Sequence, residues 1–219
     1  EPRGIAHAIR LCKEFIGNEK FLVFLGDNII QKSIIDFVEN FKNSDYDATV
    51  LLCEVDNPSR FGIADIENEK ILKITEKPKN PKSNLAVTGI YLLTPKIFEI
   101  IDNLKPSWRN ELEITDAIQW LVDQDYQVNP HIIRDWWKDT GKPKDMLAAN
   151  RLILEMLTNS INGSVCENSE LDGKIQIESG AQIINSTIRG PVIIGEGAVI
   201  KDSYIGPFTS IGSNVVVDR

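Results

Sequence analysis

A 17-residue repeat near the end of the chain, IESGAQIINSTIRGPVI over residues 177–193, decides the fold of its second part. The segment recurs as IGEGAVIKDSYIGPFTS over 194–210 and begins a third time as IGSNVVVDR at 211. Aliphatic residues stand at steps of roughly six residues, which is the pattern of a hexapeptide repeat. Such repeats wind a β-helix whose coils stack their aliphatic positions inward. The repeat therefore predicts a β-helix over residues 161–219.

Several positions carry the same or a similar residue in successive copies of the repeat. The positions in register are Ile177 with Ile194 and Ile211, Gly180 with Gly197, Ala181 with Ala198, Ile183 with Ile200, Ser169 with Ser186 and Ser203, and Leu171 with Ile188 and Ile205. A β-helix that stops at Val217 would leave an open apolar face, since each coil packs on its neighbours. The chain also begins at Glu1 rather than at Met. We therefore expect a piece of a longer protein.

The residues before the repeat predict a linking helix and an α/β domain. Pro143 suits the first turn of a helix, which we place within 142–160. Residues 1–141 then form the first domain. Its opening half alternates helical and strand patterns. The segments are a helix at 4–17, an apolar run at 21–25 that suits a strand buried on both faces, a helix at 33–43 with Ser33 as N-cap, and a second buried strand at 48–55.

The remainder of this domain contains more strands than helices. The segments are strands at 61–67, 70–77 and 85–93, a loop at 80–84, an amphipathic helix at 111–124, and an extended strand at 126–137. Alternation of helices with buried strands is typical of a doubly wound sheet. We predict an α/β fold with a doubly wound mixed sheet, Rossmann-like in arrangement, followed by the β-helix.

Composition excludes several classes of protein. The 219 residues carry a net charge of −8, with 42% hydrophobic residues, as in an ordinary globular protein. The acidic balance argues against nucleic-acid partners and anionic membrane surfaces. No run approaches the roughly 18 apolar residues of a membrane span. The three cysteines are far apart in sequence, so we expect reduced thiols and a cytoplasmic protein.

Two aspartates follow strand-like segments and are candidate metal ligands. Asp27 lies in LGDN after the run 21–25, and Asp139 lies in KDTGKP after 126–137. Ligands of open α/β sheets bind beyond the carboxyl ends of strands. Mg²⁺ takes one or two carboxylates together with phosphate oxygens, so this pair suits a magnesium ion and a phosphate ligand. The alternative reading is that both aspartates only terminate turns.

Other candidates stand at strand and helix ends. Glu76 can accept hydrogen bonds from sugar hydroxyls, and Lys77 can neutralise a phosphate, although an EK pair before a turn is often a plain surface ion pair. Gly62 allows close approach of a ligand. Arg109, which we place near the first turn of the helix at 111–124, can hold phosphate. The chain contains no GxSxG, HExxH, Walker A or GxGxxG motif.

The order of these motifs resembles the sugar nucleotidyltransferases. The strings that carry the resemblance are EPRGIAHA, LGDN, RFGIADIE, TEKPKNPKSNLAVTGIY, KPSWRNELEITDAIQWL and WWKDTGKPKDMLAANRLIL. The chain is most similar to the long-form glucose-1-phosphate thymidylyltransferases, in which a left-handed β-helix follows the α/β domain. Members of the family begin with a Gly-rich triphosphate loop and a catalytic Lys, which would lie before Glu1. This departure implies that the chain by itself has little or no activity.

The resemblance implies roles for individual residues. Gly4 and Ile5 would line the base pocket. Asp27 and Asp139 would bind Mg²⁺. Residues that would contact the glucosyl ring are Gly62, Glu76 and Val87, with Trp137 at the edge of the site. The cations Lys77 and Arg109 would hold the sugar phosphate and assist catalysis by neutralising charge.

The implied reaction joins dTTP and glucose 1-phosphate to give dTDP-glucose and pyrophosphate. Alternatives stay open. A UTP-dependent sugar-1-phosphate nucleotidyltransferase shares the chemistry. An acyltransferase is disfavoured, because residues 160–219 contain no His to serve as base. A non-catalytic binding or assembly fragment is a further possibility. We expect homo-oligomers, because β-helices of this type commonly self-associate.

Overall fold

A computed structural model describes residues 2–219. The chain divides into two compact units, a first unit that ends at Asp139 and a second unit that spans Thr140–Arg219. The predicted domain boundaries after residues 141 and 160 stay predictions. Across the described residues, no helix has the length and apolar character that a membrane crossing requires.

The first unit is an α/β fold. Its helices are α1 (Ile5–Leu11), α2 (Lys13–Ile16), α3 (Ile35–Lys42), α4 (Lys96–Asn103) and α5 (Ile114–Asp123), with a 3-10 turn at Pro58–Arg60. Its strands are β1 (Phe21–Phe24), β2 (Asn28–Ile30), β3 (Ala48–Glu54), β4 (Gly62–Glu67), β5 (Lys70–Glu76), β6 (Leu85–Leu93), β7 (Val128–Ile133) and β8 (Trp137–Asp139).

The main sheet of this unit is mixed, as predicted. Its strand order is β5-β4-β6-β3-β7, and β1 also pairs with β6. Strand β3 runs parallel to β7 and antiparallel to β6. A separate antiparallel ribbon joins β2 to β8. The ribbon pairs segments that are far apart in sequence, and it forms one wall of the cavity described below.

Helices cover both faces of the main sheet. Val50 and Leu52 of β3 belong to the core on the face of α1, α4 and α5, while Leu51 packs on the opposite face against Phe37 and Phe41 of α3. Successive side chains of a strand point to opposite faces, so a strand covered on both sides is apolar throughout. This confirms the prediction of a buried strand at 48–55.

The prediction that the strand at residues 21–25 is buried on both faces is wrong. Strand β1 pairs antiparallel with β6, and only one of its faces is buried. Phe21 and Val23 pack on the main core, whereas Leu22 and Phe24 remain 38% and 42% exposed. The physical reason is that the apolar cluster beneath α3 contains residues of β3 and β6 and excludes this part of β1.

Other differences concern the ends of elements. The helix predicted at 4–17 is broken at Cys12 into α1 and α2. The prediction of Ser33 as N-cap is wrong: the N-cap of α3 is Ile34, and the hydroxyl of Ser33, one residue earlier, only accepts a hydrogen bond from the amide of Ile35. The extended segment at 126–137 forms two strands in different sheets rather than one. Helix α4 was not predicted; it follows β6 directly, with Pro95 before its first turn.

The second unit is a parallel β-helix preceded by helix α6 (Pro143–Glu155), which has Pro at its first position as predicted. Its strands are β9 (Ser160–Ile161), β10 (Ser164–Val165), β11 (Glu170–Asp172), β12 (Ile175–Ile177), β13 (Gln182–Ile184), β14 (Thr187–Arg189), β15 (Val192–Ile194), β16 (Val199–Lys201), β17 (Tyr204–Ile205), β18 (Thr209–Ile211) and β19 (Val216–Asp218). They form three parallel sheets, one for each side of the coil.

Strand pairing confirms the repeat that was inferred from sequence. Ile177 pairs with Ile194, and Ile194 pairs with Ile211. Their side chains, together with those of Ile183 and Ile200, form the interior of the coils. Pairing between the first two coils departs from the 17-residue register, because these coils differ in length. The fold is the expected left-handed β-helix of hexapeptide repeats.

A ladder of serine hydroxyls runs along one corner of this β-helix. The hydroxyl of Ser169 accepts a hydrogen bond from the amide of Ser186 at 3.2 Å, and that of Ser186 accepts one from Ser203 at 3.1 Å. The hydroxyl of Ser203 in turn accepts one from Arg219 at 3.2 Å. These side chains satisfy amides at the corners, where the chain leaves one sheet and enters the next.

Candidate functional site

The two predicted metal ligands lie on neighbouring segments. In the β2–β8 ribbon, Asn28 is paired with Asp139, and Asp27 immediately precedes Asn28. The pairing explains how two aspartates separated by most of the first unit come to line the same cavity. Asp27 itself lies in a turn, closed by a hydrogen bond from the amide of Asn28 to the carbonyl of Leu25.

The Asn28 side chain holds this corner of the site together. Its Oδ1 accepts hydrogen bonds from the amide of Gly89 at 2.9 Å and from the Trp137 indole at 2.7 Å. Its Nδ2 donates to Asp27 Oδ1 at 2.8 Å. One buried amide thus connects the aspartate turn, strand β6 and strand β8. A Cβ on Gly89 would lie 2.5 Å from that amide, so only glycine leaves room for it.

At the end of β5, Glu76 is fixed from two sides. Thr115 donates a hydrogen bond to Glu76 Oε2 at 3.1 Å, and Arg109 Nη1 lies 3.3 Å from Glu76 Oε1. Lys77 Nζ is 3.6 Å from the same Oε1. Lys77 has a left-handed backbone, with φ of 44°, and its amide donates to the carbonyl of Phe61. The carboxylate therefore has a defined orientation toward the cavity.

Arg109 lies in a loop rather than in the first helical turn. Helix α5 begins at Ile114, and a turn closed by the amide of Asn110 and the carbonyl of Ser107 precedes it. The predicted position of Arg109 near the first turn of the helix is therefore wrong, although its side chain reaches Glu113, the N-cap residue of α5. Its guanidinium is instead held by glutamates: Nη1 contacts Glu76 and Glu113, each at 3.3 Å, and Nη2 contacts Glu111 at 3.1 Å.

Glu113 is the most deeply buried of these carboxylates. Burial raises the pKa of the Glu113 carboxyl above its ordinary value, and the nearby charges of Glu76 and Glu111 act in the same direction. A hydrogen bond from the hydroxyl of Ser107 at 2.8 Å and the charge of Arg109 oppose this rise. Ser107 and Arg109 are therefore the groups that stabilise a negative charge at this depth.

Apart from Ser107, the side chains described above line one cavity of about 270 Å³ in the first unit. Nine of the ten residues predicted from the sequence line it, namely Ile5, Asp27, Gly62, Glu76, Lys77, Val87, Arg109, Trp137 and Asp139. Its wall therefore combines carboxylates, cations and an apolar strip. This combination suits a ligand that has a phosphate, hydroxyl groups and an apolar surface.

Gly62 and Gly4 have different structural reasons for being glycine. A Cβ on Gly62 would lie 2.6 Å from Thr115 Cγ2 and 3.2 Å from Glu76 Oε2, so glycine lets this pair approach β4. Gly4 has a positive φ of 100° and lies against the backbone of Leu112. Gly4 is not among the described residues that line the cavity, and its role at a base pocket stays a prediction.

Comparisons with known proteins identify the family. Residues 1–156 match the family described as "Nucleotidyl transferase". The chain belongs to the nucleotidyl transferase family. It is 42% identical over its whole length to a glucose-1-phosphate thymidylyltransferase from Streptomyces griseus, of which it covers 62%.

Solved structures give the same relationship. A Bacillus anthracis protein assigned as a glucose-1-phosphate thymidylyltransferase, crystallised with sucrose, is 45% identical, with a TM-score of 0.66 over 73% of this chain and 65% of the other. A UDP-glucose pyrophosphorylase complexed with UDP-glucose is 28% identical, with a TM-score of 0.64 over 71% of this chain and 63% of that structure. This nucleotidyl transferase chain thus spans less than two thirds of each of these relatives.

Several groups in the cavity of this nucleotidyl transferase were not predicted from the sequence. Tyr91 follows Val87 and Gly89 at alternate positions of β6, and this period of two was the available signal. Burial, reinforced by the negative charges of Glu76 and Asp27, raises the pKa of its phenol. Further lining residues are Asn28, Arg60, Phe61, Glu111, Glu113 and Thr115.

Trp137 is placed by contacts that the sequence did not reveal. Its ring packs edge-on against Phe61, with centroids 5.2 Å apart, in addition to its bond with Asn28. Trp136 lines a separate small cavity with Phe37 and His131. The two consecutive tryptophans therefore face different surroundings, because adjacent side chains of an extended segment point to opposite sides.

The donors of this nucleotidyl transferase fit a magnesium ion that binds together with a substrate. Within residues 2–219, no group of three or more His, Cys, Asp or Glu side chains forms a closed metal site. The cavity offers the two carboxylates of Asp27 and Asp139. Mg²⁺ commonly uses one or two carboxylates and completes its shell with phosphate oxygens and water. The donor set therefore suits Mg²⁺ better than a structural zinc ion.

Proposed function

We propose that this protein transfers the thymidylyl group of dTTP to glucose 1-phosphate, giving dTDP-glucose and pyrophosphate in a Mg²⁺-dependent reaction. The observation that carries the proposal is the assembly of the candidate residues around one cavity, in a chain 42% identical to a glucose-1-phosphate thymidylyltransferase. We further propose a cytoplasmic location, which the three free thiols support.

The chemistry requires no general base. An oxygen of the sugar phosphate attacks the α-phosphorus of dTTP, the bond from that phosphorus to the β-bridging oxygen breaks, and pyrophosphate leaves. Because the second pKa of a phosphate monoester is about 6, the attacking oxygen is already anionic near neutral pH. Among the residues that the structure describes, none of those lining the cavity is a histidine, in keeping with this route. The barrier arises mainly from bringing anions together and aligning them.

Residues of this chain can neutralise the charge of the anions and align the reactants. Glu76, fixed by Thr115 and Arg109, is placed to accept hydrogen bonds from sugar hydroxyls. Lys77 and Arg109 supply cations for the sugar phosphate. We assign the contact with the sugar ring to Gly62, Val87 and Trp137, and the base pocket to Gly4 and Ile5.

Asp27 and Asp139 would hold the Mg²⁺. When bound, this ion would neutralise charge on the reacting phosphates and help to align them. The hydrogen bond from Asn28 fixes one oxygen of Asp27, which limits the ways in which this carboxylate can turn. Pre-set ligand orientation of this kind is a common property of metal sites.

A UTP-dependent sugar-1-phosphate nucleotidyltransferase is the second candidate. The similarity to a UDP-glucose pyrophosphorylase complexed with UDP-glucose favours it, because that protein binds a uridine nucleotide in a related fold. Thymine and uracil differ by one methyl group, and a single methylene in an apolar pocket is worth only about 1–3 kcal/mol. The residues of the sugar and metal sites therefore do not discriminate between the two nucleotides.

A pyrophosphate-release assay tests the proposal. The full-length gene product is incubated with glucose 1-phosphate, Mg²⁺ and each nucleoside triphosphate in turn. We expect dTTP to give the highest kcat/KM and omission of Mg²⁺ to abolish turnover. A preference for UTP would favour the second candidate. A preference for ATP or GTP would exclude both, and no pyrophosphate release with any triphosphate would exclude nucleotidyl transfer to this sugar.

A further inference from the structure

The three glutamates around Arg109 differ sharply in burial. The side chain of Glu113 is 6% exposed, and it also accepts a hydrogen bond from Ser107. The side chain of Glu111 is 37% exposed. Both of its oxygens lie within 3.2 Å of Arg109 Nη2, which makes it the outer counter-ion of the guanidinium.

The guanidinium presents a limited set of donors. Arg109 Nη1 contacts Glu76 and Glu113, while Nη2 contacts Glu111. Arginine binds phosphate best through two parallel N–H groups of its fork. A phosphate that approaches from the cavity therefore competes with a glutamate for these donors. Glu111 is the easiest one to release, because it returns to water at little cost, whereas Glu113 would be left as a buried and unpaired charge.

The net charge of the groups around Arg109 also favours release of Glu111. The glutamates at 76, 111 and 113 contribute three negative charges around Arg109, and Lys77 is the second cation of the group. With Glu111 in place, the group is net negative and opposes an incoming phosphate. Movement of Glu111 into solvent removes the carboxylate from Nη2 and frees the N–H groups of this nitrogen for another anion.

We propose that Glu111 is an exchangeable counter-ion that the sugar phosphate displaces from Arg109, and that Glu113 is the fixed anchor that keeps Arg109 in the cavity. Both glutamates are positioning residues, since they act through Arg109. The inference rests on the proposed function, because it takes a sugar 1-phosphate as the ligand of this cavity. Under this proposal, Glu111 and Glu113 have opposite effects on the binding of glucose 1-phosphate, although both are glutamates and lie two residues apart.

Paired substitutions in the full-length gene product test this assignment. Isothermal titration calorimetry with glucose 1-phosphate compares wild type, Glu111→Gln and Glu113→Gln, with melting temperatures as the control for folding. We expect Glu111→Gln to lower the Kd about two- to fivefold, in proportion to an exposed ion pair. We expect Glu113→Gln to raise the Kd about tenfold, because a buried charge-assisted bond is lost. The KM for dTTP should stay unchanged in Glu111→Gln.

The same titration in an Arg109→Gln background distinguishes two explanations. One is competition between Glu111 and the phosphate for Arg109, and the other is general electrostatic repulsion of the phosphate by Glu111. In that background Glu111→Gln should leave the Kd nearly unchanged, because no guanidinium remains to be released. Equal tightening in both backgrounds would overturn the inference, as would a Kd for Glu111→Gln equal to or above that of wild type. If wild type binds no glucose 1-phosphate, this inference fails, and the proposed function fails only if pyrophosphate release with this sugar is also absent. Binding by wild type without the opposite effects overturns the inference alone.

Discussion

At the scale of single residues, the site depends on a few side chains whose orientation is set by a neighbour. Glu76 is oriented by Thr115 and Arg109, and Asp27 by Asn28. Each of these contacts joins residues that are distant in sequence or lie in a turn. A conservative substitution of one of these neighbours should therefore weaken ligand binding more than it lowers the stability of the fold.

The aspartate pair should be required for metal dependence. We expect Asp27→Asn and Asp139→Asn in the full-length gene product each to reduce Mg²⁺-dependent pyrophosphate release at least about 100-fold, because a lost metal ligand weakens charge neutralisation. Asp123→Asn, on the outer side of α5, serves as a matched control and should retain activity. The assay is pyrophosphate release as a function of Mg²⁺ concentration; near-normal rates in either variant would refute the metal assignment.

The substitution Gly62→Ala should weaken the binding of glucose 1-phosphate more than the binding of dTTP. Its Cβ would contact Thr115 Cγ2 and Glu76 Oε2, so the carboxylate must move. We expect a cost of about 1–3 kcal/mol in the free energy of unfolding and a raised KM for glucose 1-phosphate, with a smaller change for dTTP. Gly212→Ala is the control, since its Cβ would make only an ordinary contact at 3.7 Å. Equal changes in both KM values would contradict this assignment.

Residue identity alone predicted part of the site. Asp27, Glu76 and Asp139 were found because each stands at the end of a strand-like segment, where ligands of α/β sheets bind. The full set of glutamates around Arg109 was not predictable, because Glu76 reaches it from the end of strand β5, 33 residues away in sequence. The placement of Arg109 near a helix terminus was wrong for a local reason: a turn closed at Asn110 delays the start of α5.

At the scale of helices and strands, the pattern of apolar residues determined how well each segment could be predicted. The β-helix strands and β3 have repeating or continuous apolar patterns, and both were predicted correctly. Strand β1 has the same apolar appearance as β3 but lacks a helix over one face. Apolar composition alone does not distinguish these two environments. The β2–β8 ribbon was not predicted, because strands of three residues contain too few positions to show an alternation of apolar and polar residues.

The serine ladder of the β-helix should contribute measurably to stability. The hydroxyl of Ser186 accepts from the amide of Ser203 and donates to the carbonyl of Ile184. We expect Ser186→Ala to lower the free energy of unfolding by about 1–3 kcal/mol, because the amide of Ser203 loses its partner. The exposed Ser210→Ala is the control, and chemical denaturation gives both values. A change within error of that control would show that water replaces the hydroxyl.

At the scale of the whole molecule, the lining of the cavity comes from the first unit, while the repeat core lies in the second. We expect Ile183→Ala to destabilise the β-helix by about 2–5 kcal/mol because it empties a buried position. The Kd for glucose 1-phosphate should stay at its wild-type value at temperatures where both units are folded.

Hydrogen exchange and calorimetric titration together check this separation. Ile118→Ala is the counterpart in the first unit, where Ile118 is fully buried on α5, the helix that carries Thr115. That variant should accelerate exchange in the first unit and weaken the binding of glucose 1-phosphate. Loss of binding in Ile183→Ala, with exchange in the first unit unchanged, would contradict the separation.

The parallel register of the β-helix has a consequence for how the gene can change. Ile177, Ile194 and Ile211 stack one above another because each added coil contributes a whole 17-residue copy. Duplication or deletion of a complete copy keeps every inward side chain inward, whereas loss of a few residues would rotate polar groups into the interior. Among the coils that keep the 17-residue register, viable length variation should therefore occur in whole coils. The cavity that we propose as the substrate site is lined by the other unit, so the β-helix can gain or lose coils without a change in the residues of that site.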